Sequence, residues 1–222
     1  MTRAAAIAAA AEYFDTGGFA ADLGRRVAIP TESQVEERAP ALRAYLEDEI
    51  APSLARLGFD STIFDNPVRG GPALIAERRE DGANTTVLGY GHGDVIRGLE
   101  PQWHEGLSPW ELTRRGDRLY GRGTADNKGQ HSINIAAMQC VLQTRGRLGF
   151  NARLLIETGE EVGSPGLREI CRNHKDRLAA DVLIASDGPR LAPDRPTIFL
   201  GARGAINFDL VVDLREGGHH SG

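Results

Sequence analysis

The sequence predicts an α/β fold built on a largely parallel or mixed sheet. Segments with the apolar content of strands alternate with segments whose apolar residues recur at helical spacing, which is typical of βαβ units. Three strand segments are each followed at once by residues that bind metals: Thr86–Tyr90 by His92, Arg153–Ile156 by Glu160 and Glu161, and Val182–Ala185 by Asp187. Ligands bind outside the carboxyl ends of strands in such sheets, so we expect these residues to meet in one site.

Helices dominate the start of the chain. An amphipathic helix is predicted through the alanine-rich opening, ending near Gly17 because two successive glycines break it. Phe19–Val27 is predicted as a second, short helix. Pro40–Leu57 carries apolar residues close to a 3.6-residue period and is predicted as a helix that Pro52 kinks or divides.

The remaining elements follow from the same patterns. Val95–Pro109 is irregular, and its length together with Trp103 favours a functional loop. Gln130–Thr144 and Pro165–Leu178 are predicted helices. The predicted strands, including a hairpin within Glu111–Tyr120, are Phe59–Phe64, Ala73–Arg78, Asn84–Tyr90, Asn151–Glu157, Asp181–Ala185 and Gly204–Leu214.

Composition excludes several classes of function. The net charge of −5 argues against a nucleic-acid-binding face, which would be basic. The two cysteines, Cys140 and Cys171, form no CxxC pair, so a thiolate zinc cluster is excluded and free thiols in a reducing compartment are expected. No apolar run approaches the roughly 18 residues that a membrane span needs. We therefore expect a cytoplasmic protein with no membrane or nucleic-acid partner.

The glycine-punctuated stretch Gly121–Gly129 places Asp126 in a loop just ahead of a helical segment. Such a loop fixes the carboxylate and leaves both of its oxygens free. Two divalent ions held close together need a shared anionic ligand, and a bidentate aspartate can provide it. A ligand set of histidine and carboxylates without thiols suits zinc, manganese or cobalt.

Two further features fit a hydrolytic site. A pair of ions lowers the pKa of a water between them, and a nearby carboxylate must then accept its proton. In Glu160-Glu161, neighbouring side chains in a turn can point apart, one to metal and one to the water. Asp94 lies on the same side of an extended segment as His92 and can accept the free imidazole N–H, which fixes the ring tautomer.

These motifs resemble those of the M20 family of dinuclear metallopeptidases, which includes carnosinase-like dipeptidases, glutamate carboxypeptidases and aminoacylases. The resemblance extends from about Val27 to the end of the chain and keeps the family's order. The matching motifs are His92-Gly93-Asp94, Gly121-Arg122-Gly123 with Asp126-Asn127-Lys128-Gly129, Glu160-Glu161, Ser186-Asp187 and His220-Ser221-Gly222. The resemblance implies the three-layer catalytic domain of a dinuclear zinc peptidase, followed by the first strand of an inserted α+β lid domain.

The resemblance also implies a role for each matching residue. His92 and Asp187 would bind one ion, Glu161 the other, and Asp126 both. Glu160 would be the general base, Asp94 the partner of His92, and His220 a lid residue that helps to hold the substrate carbonyl, often across a dimer. The peptide bond Asp126–Asn127 would be cis, and the second ion's histidine ligand would lie beyond Gly222.

From this resemblance we expect residues 1–200 to be the N-terminal part of the catalytic domain and residues 201–222 the truncated start of the lid and dimerisation domain. The expected cofactors are two divalent ions, zinc or else cobalt or manganese. The expected reaction is hydrolysis of an amide bond in a dipeptide or similar small substrate by a protein that is a homodimer at full length. The 222-residue chain alone is expected to be inactive.

Two alternatives stay open at this stage. The same ions and base would serve a deacylase acting on N-acyl amino acids, and a truncated fragment could be non-catalytic. Among the other candidates, Lys128 is interpreted as holding its loop to a neighbouring carboxylate. His104, His131 and His174 are interpreted as ordinary surface or helix-end residues.

Overall fold

The computed structural model of the chain describes residues 2–68, 70–192, 194–201, 204, 206, 208–213, 216–218, 220 and 222. They divide into two compact units, residues 1–187 and 188–222. The first unit holds the sheet and the helices. The second contains an isolated bridge between Ala192 and Arg195. The domain boundary expected at residue 200 stays a prediction.

The main sheet has five strands, which are β1 (Asp60–Phe64), β2 (Ala73–Arg78), β3 (Thr86–His92), β6 (Asn151–Glu157) and β7 (Val182–Ala185). The predicted hairpin is β4 (Thr113–Arg115) with β5 (Arg118–Tyr120). The spatial order in the main sheet is β1-β2-β6-β3-β7. The β1/β2 and β2/β6 pairs are antiparallel, and the β6/β3 and β3/β7 pairs are parallel. This mixed sheet confirms the predicted fold class.

Helices cover both faces of the sheet, which gives three layers. Because successive strand residues point to opposite faces, Leu74 and Ile156 pack into one core and Ile75 and Leu155 into the other. The helices are α1 (Arg3–Asp15), α2 (Gly18–Val27), α3 (Ala39–Ala44), α4 (Ala51–Ala55), α5 (Lys128–Arg145), α6 (Leu167–Asn173) and α7 (Lys175–Leu178). The π-helical stretch Tyr45–Ile50, which lies between α3 and α4, packs on the first face together with α4 and α5, and α6 and α7 pack on the second.

Three helix predictions need correction. Helix α1 is not amphipathic: its apolar residues are spread around the helix and none is fully buried, so alanine propensity accounts for it better than an apolar face. The run containing Pro52 stays helical across the proline, and its irregularity is a π-helical stretch, Tyr45–Ile50, that joins α3 to α4 just before Pro52. The helix predicted over Pro165–Leu178 is interrupted at His174, whose φ of −122° is not helical.

The predicted strand Gly204–Leu214 lies partly outside the described residues. Residues 204, 206 and 208–213, which are described, are not in a strand, so the predicted strand is not found in the described part of this segment. Within the described part of the chain, no helix is both long and apolar enough to cross a membrane. Cys140 and Cys171 are both free thiols.

Candidate metal centre

Four segments at the carboxyl end of the main sheet carry the predicted ligands. His92 is the last residue of β3, and the 3₁₀ turn Glu160–Val162 follows β6. Asp187 comes two residues after β7, and Asp126 lies in the loop just before α5. Because β6, β3 and β7 are adjacent and parallel, their carboxyl ends deliver these residues to the same place.

The imidazole of His92 is the centre of the cluster. Its Nε2 atom lies 2.9 Å from Asp126 Oδ1, 3.7 Å from Asp187 Oδ1 and 3.8 Å from Glu160 Oε2. Two sets of ligand atoms, each within 4.8 Å of one another, come from His92, Glu160 and Glu161 and from His92, Asp126 and Asp187. Both sets share His92, whereas the sequence-based prediction made Asp126 the shared ligand.

The charges in this cluster are unbalanced. Burial alone would lower the pKa of His92, but the nearby carboxylates of Asp187 and Asp94 outweigh burial and raise the pKa to about 11. The imidazole of His92, 3.7 Å away, in turn lowers the pKa of Asp187. Burial, followed by the charge of Asp126, raises the pKa of Glu161 to about 7. Burial also raises the pKa of Glu160.

The residues present fit a divalent cation. One imidazole lies close to five carboxylates, and among the described residues no ion pair joins any of the five to a lysine or arginine. The five belong to Asp94, Asp126, Glu160, Glu161 and Asp187. Burial, followed by the charges of neighbouring carboxylates, raises the pKa of both glutamates, and a bound cation would favour their ionised forms. Nitrogen and oxygen donors without sulfur match zinc, cobalt or manganese.

Asp94 is fully buried beneath the cluster. His92 Nδ1 lies 3.0 Å from the backbone oxygen of Asp94 and 3.3 Å from its Oδ1, so the expected contact with the imidazole is present. The same carboxylate also accepts hydrogen bonds from the backbone N–H groups of Glu160 and Glu161, at 3.2 and 3.1 Å. Asp94 thereby holds the histidine and the Glu-Glu turn in one arrangement, a second contact that the sequence did not indicate.

The loop before α5 is held by close backbone packing. A Cβ at Gly129 would lie 1.9 Å from the carbonyl oxygen of Thr124, so only glycine fits there. The peptide bond Asp126–Asn127 is cis, as the resemblance implied. Lys128 holds the loop, but its Nζ donates to the backbone oxygens of Arg26 and Ile29, at 2.9 and 2.7 Å. The predicted carboxylate partner was therefore wrong.

Several buried residues around the cluster were not predicted from the sequence as part of the site. Glu157, at the end of β6, accepts hydrogen bonds from the hydroxyls of Tyr90 and Ser164, at 2.7 and 2.9 Å, and so ties β3 to the end of the glutamate turn. Asn127 contacts both the His92 and the Asp187 segments. The only indication of Glu157 in the sequence is its place as a carboxylate at the end of an apolar strand segment.

The other histidine candidates, and Trp103 with the nearby Trp110, have ordinary surroundings, with one exception. His104 is exposed, and the His174 ring packs 3.8 Å from that of Phe64. His131 is buried inside the first unit and is not a surface residue, which corrects its interpretation. The indole N–H groups of Trp103 and Trp110 donate to Gly98 and Glu100 of the same long loop, so both residues pack that loop.

His220 belongs to the second unit, residues 188–222, and is exposed. Its Nδ1 accepts a hydrogen bond of 3.0 Å from the backbone N–H of Gly222. Ser221 of the same motif, together with His219 and Arg203, lies outside the described residues. The lid role expected for His220 stays a prediction.

Comparison with known proteins identifies the family of this chain. Residues 88–213 match the model of peptidase family M20/M25/M40. The chain is 33% identical over 154 residues to the beta-Ala-His dipeptidase of Rattus norvegicus, a match that covers 68% of the chain and 31% of that protein. It is 32% identical over 175 residues to the cysteinylglycine-S-conjugate dipeptidase of Corynebacterium striatum, covering 78% of the chain and 38% of that protein.

A solved structure agrees with the sequence matches. The crystal structure of human carnosine dipeptidase 1 superimposes with a TM-score of 0.72 at 30% sequence identity, covering 80% of this chain and 40% of that one. The chain therefore spans between 31% and 40% of the length of these three proteins. The matched region contains His92, Asp126, Glu160, Glu161 and Asp187, the residues that meet at the carboxyl edge of the sheet. This chain belongs to peptidase family M20/M25/M40.

Proposed function

We propose that the chain carries a large part of the catalytic site of a metal-dependent dipeptidase. The observation that supports this most strongly is the convergence of Asp126, Glu160 and Asp187 on the buried imidazole of His92. The four residues meet at the carboxyl ends of the parallel strands. The names of the relatives, which are dipeptidases for beta-Ala-His and for cysteinylglycine conjugates, support a small peptide as the substrate.

We assign the ligands as the resemblance implies. His92 and Asp187 would hold one divalent ion, Glu161 a second, and Asp126 would contribute to both; zinc is the proposed metal. When bound, the ions polarise the scissile carbonyl and lower the pKa of the attacking water. The resemblance implies one more histidine ligand for the second ion, and the ligand groups among the described residues contain no histidine besides His92. The 222-residue chain alone should then bind at most one ion firmly.

The protein's own groups carry out the proton transfers. Glu160 lies 3.8 Å from His92 Nε2 and is half-buried beside the ligand cluster, without being needed to complete the His92–Asp126–Asp187 set. Its carboxylate accepts the proton of the attacking water and passes it to the departing amine, as a general base and then a general acid. Asp94 holds the imidazole and the glutamate turn in fixed positions during these proton transfers.

The finer assignments belong to the same proposal. The whole protein is proposed to act in the cytoplasm as a homodimer, with His220 of the lid contacting the substrate carbonyl. The family resemblance supports the dimer and the lid contact, and the free thiols of Cys140 and Cys171 fit a reducing compartment such as the cytoplasm. The deacylase alternative differs from the dipeptidase only in its substrate, so an assay on both substrate classes separates the two.

The test uses the whole gene product, loaded with zinc and assayed on a panel of dipeptides and N-acyl amino acids. Hydrolysis of dipeptides is expected, and Glu160→Ala should keep the metal content of the wild type while kcat falls by roughly 10²–10⁴-fold. Glu36→Ala, an exposed glutamate of a 3₁₀ turn, is the matched control and should leave kcat unchanged. Preferential hydrolysis of N-acyl amino acids would replace the dipeptidase assignment. Loss of metal from Glu160→Ala would make Glu160 a ligand and exclude it as the base.

A further inference from the structure

The side chain of Asn127 is fully buried between two of the ligand segments. Its Nδ2 donates to the backbone oxygen of Ser186 at 2.6 Å and to Asp187 Oδ1 at 3.0 Å. Its Oδ1 accepts from the backbone N–H of His92 at 3.3 Å. A backbone oxygen can only accept and a backbone N–H can only donate, so these contacts fix the orientation of the amide without ambiguity.

The orientation of Asn127 in turn fixes the protonation of His131. His131 Nδ1 lies 3.1 Å from Asn127 Oδ1, an atom that can only accept, so Nδ1 must carry the hydrogen. Burial lowers the pKa of His131 well below its ordinary value, and the ring is therefore neutral. Its Nε2 is then an acceptor, and the hydroxyl of Tyr45, 2.6 Å away, must donate to it.

The result is a chain of hydrogen bonds that runs in one direction, from the Tyr45 hydroxyl through His131 and Asn127 to the carboxylate of Asp187. Tyr45, His131 and Asn127 are each buried to at least nine-tenths. Their side-chain polar atoms are therefore shielded from water and depend on one another as hydrogen-bond partners. The three residues come from different elements: the π-helical stretch, helix α5 and the loop before it.

Two glycines of β3 and the turn after it make room for this chain. A Cβ at Gly91 would lie 2.9 Å from Asn127 Oδ1 and 2.9 Å from the Cβ of His131. A Cβ at Gly93 would lie 2.5 Å from the Tyr45 ring. The backbone on both sides of His92 therefore has to be glycine for Asn127, His131 and Tyr45 to reach their positions.

We propose that Tyr45, His131 and Asn127 are positioning residues that set the direction in which Asp187 presents its carboxylate to a divalent cation beside His92. This inference rests on the metal site of the proposed function, but not on which substrate is hydrolysed. None of the three residues contacts the reacting atoms. Their effect passes through the hydrogen bond from Asn127 to Asp187 and the one from Asn127 to the backbone of His92.

The first measurement needs no metal and no variant. In ¹⁵N-labelled wild-type protein, long-range ¹H–¹⁵N correlations report which nitrogen of His131 carries the hydrogen. The chain of hydrogen bonds predicts a neutral ring protonated at Nδ1. A hydrogen on Nε2, or on both nitrogens, would overturn the inference.

The second measurement is metal binding by variants. Tyr45→Phe removes the first donor and keeps the ring, and Asn127→Asp replaces the amide donor with an acceptor that repels Asp187. Zinc affinity, measured by chelator competition, should fall by roughly 10–100-fold in each, as expected when a group that orients a metal ligand is lost. The visible absorption spectrum of the cobalt-loaded protein should also shift, a change that a purely structural role would not produce.

The matched control is Tyr13→Phe, which removes a hydroxyl bonded to Asp22. It should leave the zinc affinity and the cobalt spectrum unchanged. Wild-type zinc affinity in folded Tyr45→Phe and Asn127→Asp proteins would overturn the positioning role. Dipeptide hydrolysis is not a readout here, so a whole gene product that hydrolyses none of the panel would overturn the proposed function and leave this inference standing.

Discussion

The carboxylate of Asp94 is bonded to the backbone N–H of Glu161, with Oδ2 accepting at 3.1 Å. Its Oδ1 accepts from the backbone N–H of Glu160 at 3.2 Å and lies 3.3 Å from His92 Nδ1. One buried side chain therefore connects the end of β3 to the turn after β6. This connection makes Asp94 a structural as well as an electrostatic partner of the metal centre.

Replacing Asp94 by asparagine should destabilise the chain. An amide offers one oxygen where the carboxylate offers two, so either Glu160 or Glu161 loses the acceptor of its backbone N–H. Hydrogen bonds to charged groups contribute about 1.5–3 kcal/mol, and we expect a loss of free energy of unfolding in that range. Urea unfolding measures it.

The control is Asp48→Asn, an exposed aspartate of the π-helical stretch. Substitutions at such surface positions change stability by about 0.5 kcal/mol or less. If Asp94→Asn changes the free energy of unfolding no more than Asp48→Asn does, the double hydrogen bond has no energetic importance.

Most of the fold was predictable because the strands are short and regularly patterned. In β2, Leu74 and Ile75 point to opposite cores, and a continuous apolar run of this length fits a strand covered on both faces. The π-helical stretch Tyr45–Ile50 was not predictable, since its apolar spacing differs little from that of an α-helix. The interruption of the helix at His174 was not predictable either, because no proline or glycine lies at that position.

The candidate site divides in the same way. Titratable side chains that follow strands are visible in the sequence, and their convergence follows from the parallel order of β6, β3 and β7. Their buried partners are not visible, because each contact joins distant segments. Asn127 and Asp187 illustrate this, as their hydrogen bond depends on the amide orientation imposed by Ser186 and His92.

Asp126 is predicted to bind both ions, so its loss should remove more metal than the loss of any other single ligand. In the zinc-loaded whole gene product, Asp126→Ala should retain less zinc per chain than Asp187→Ala, measured by atomic emission after dialysis. The Asp126 side chain is 64% exposed, so its substitution should not unfold the protein. Equal zinc loss in the two variants would contradict the bridging role.

The raised pKa of Glu161 predicts a pH dependence of stability in chelator-treated protein. Its pKa is about 7 in the folded chain against 4.5 ordinarily, so between these values the folded state holds a proton that the unfolded state has released. The stabilising contribution of this group is therefore present below pH 4.5 and is lost as the pH rises to 7.

Glu161→Gln removes that titration. Relative to the wild type, the variant should be more stable at pH 7.5 than at pH 4.5, by about 1 kcal/mol once solvent screening of this half-buried group is allowed for. Thermal or urea unfolding at the two pH values measures the difference. Saturating zinc should cancel it, since a bound cation favours the ionised carboxylate. A difference that does not change with pH would exclude the raised pKa.

The sheet edge formed by β7 predicts that the 222-residue chain, made alone, associates. Leu183 of β7 is 63% exposed, and an apolar cavity of about 490 Å³ lies beside it, lined also by Leu167 and Leu178. Exposed edge strands and large apolar patches promote association. Sedimentation velocity should show oligomers that Leu183→Lys reduces, whereas Arg79→Lys, an exposed charged position, should not. A monomer at high micromolar concentration would refute this expectation.

The metal centre itself is tested most directly by anomalous diffraction at the zinc edge from crystals of the zinc-loaded protein. The expected result is a peak about 2.0–2.1 Å from His92 Nε2 and about 2.0–2.2 Å from carboxylate oxygens of Asp126 and Asp187. The contrary result is zinc elsewhere or no zinc at all, with His92 Nε2 still hydrogen-bonded to Asp126 at 2.9 Å as it is here.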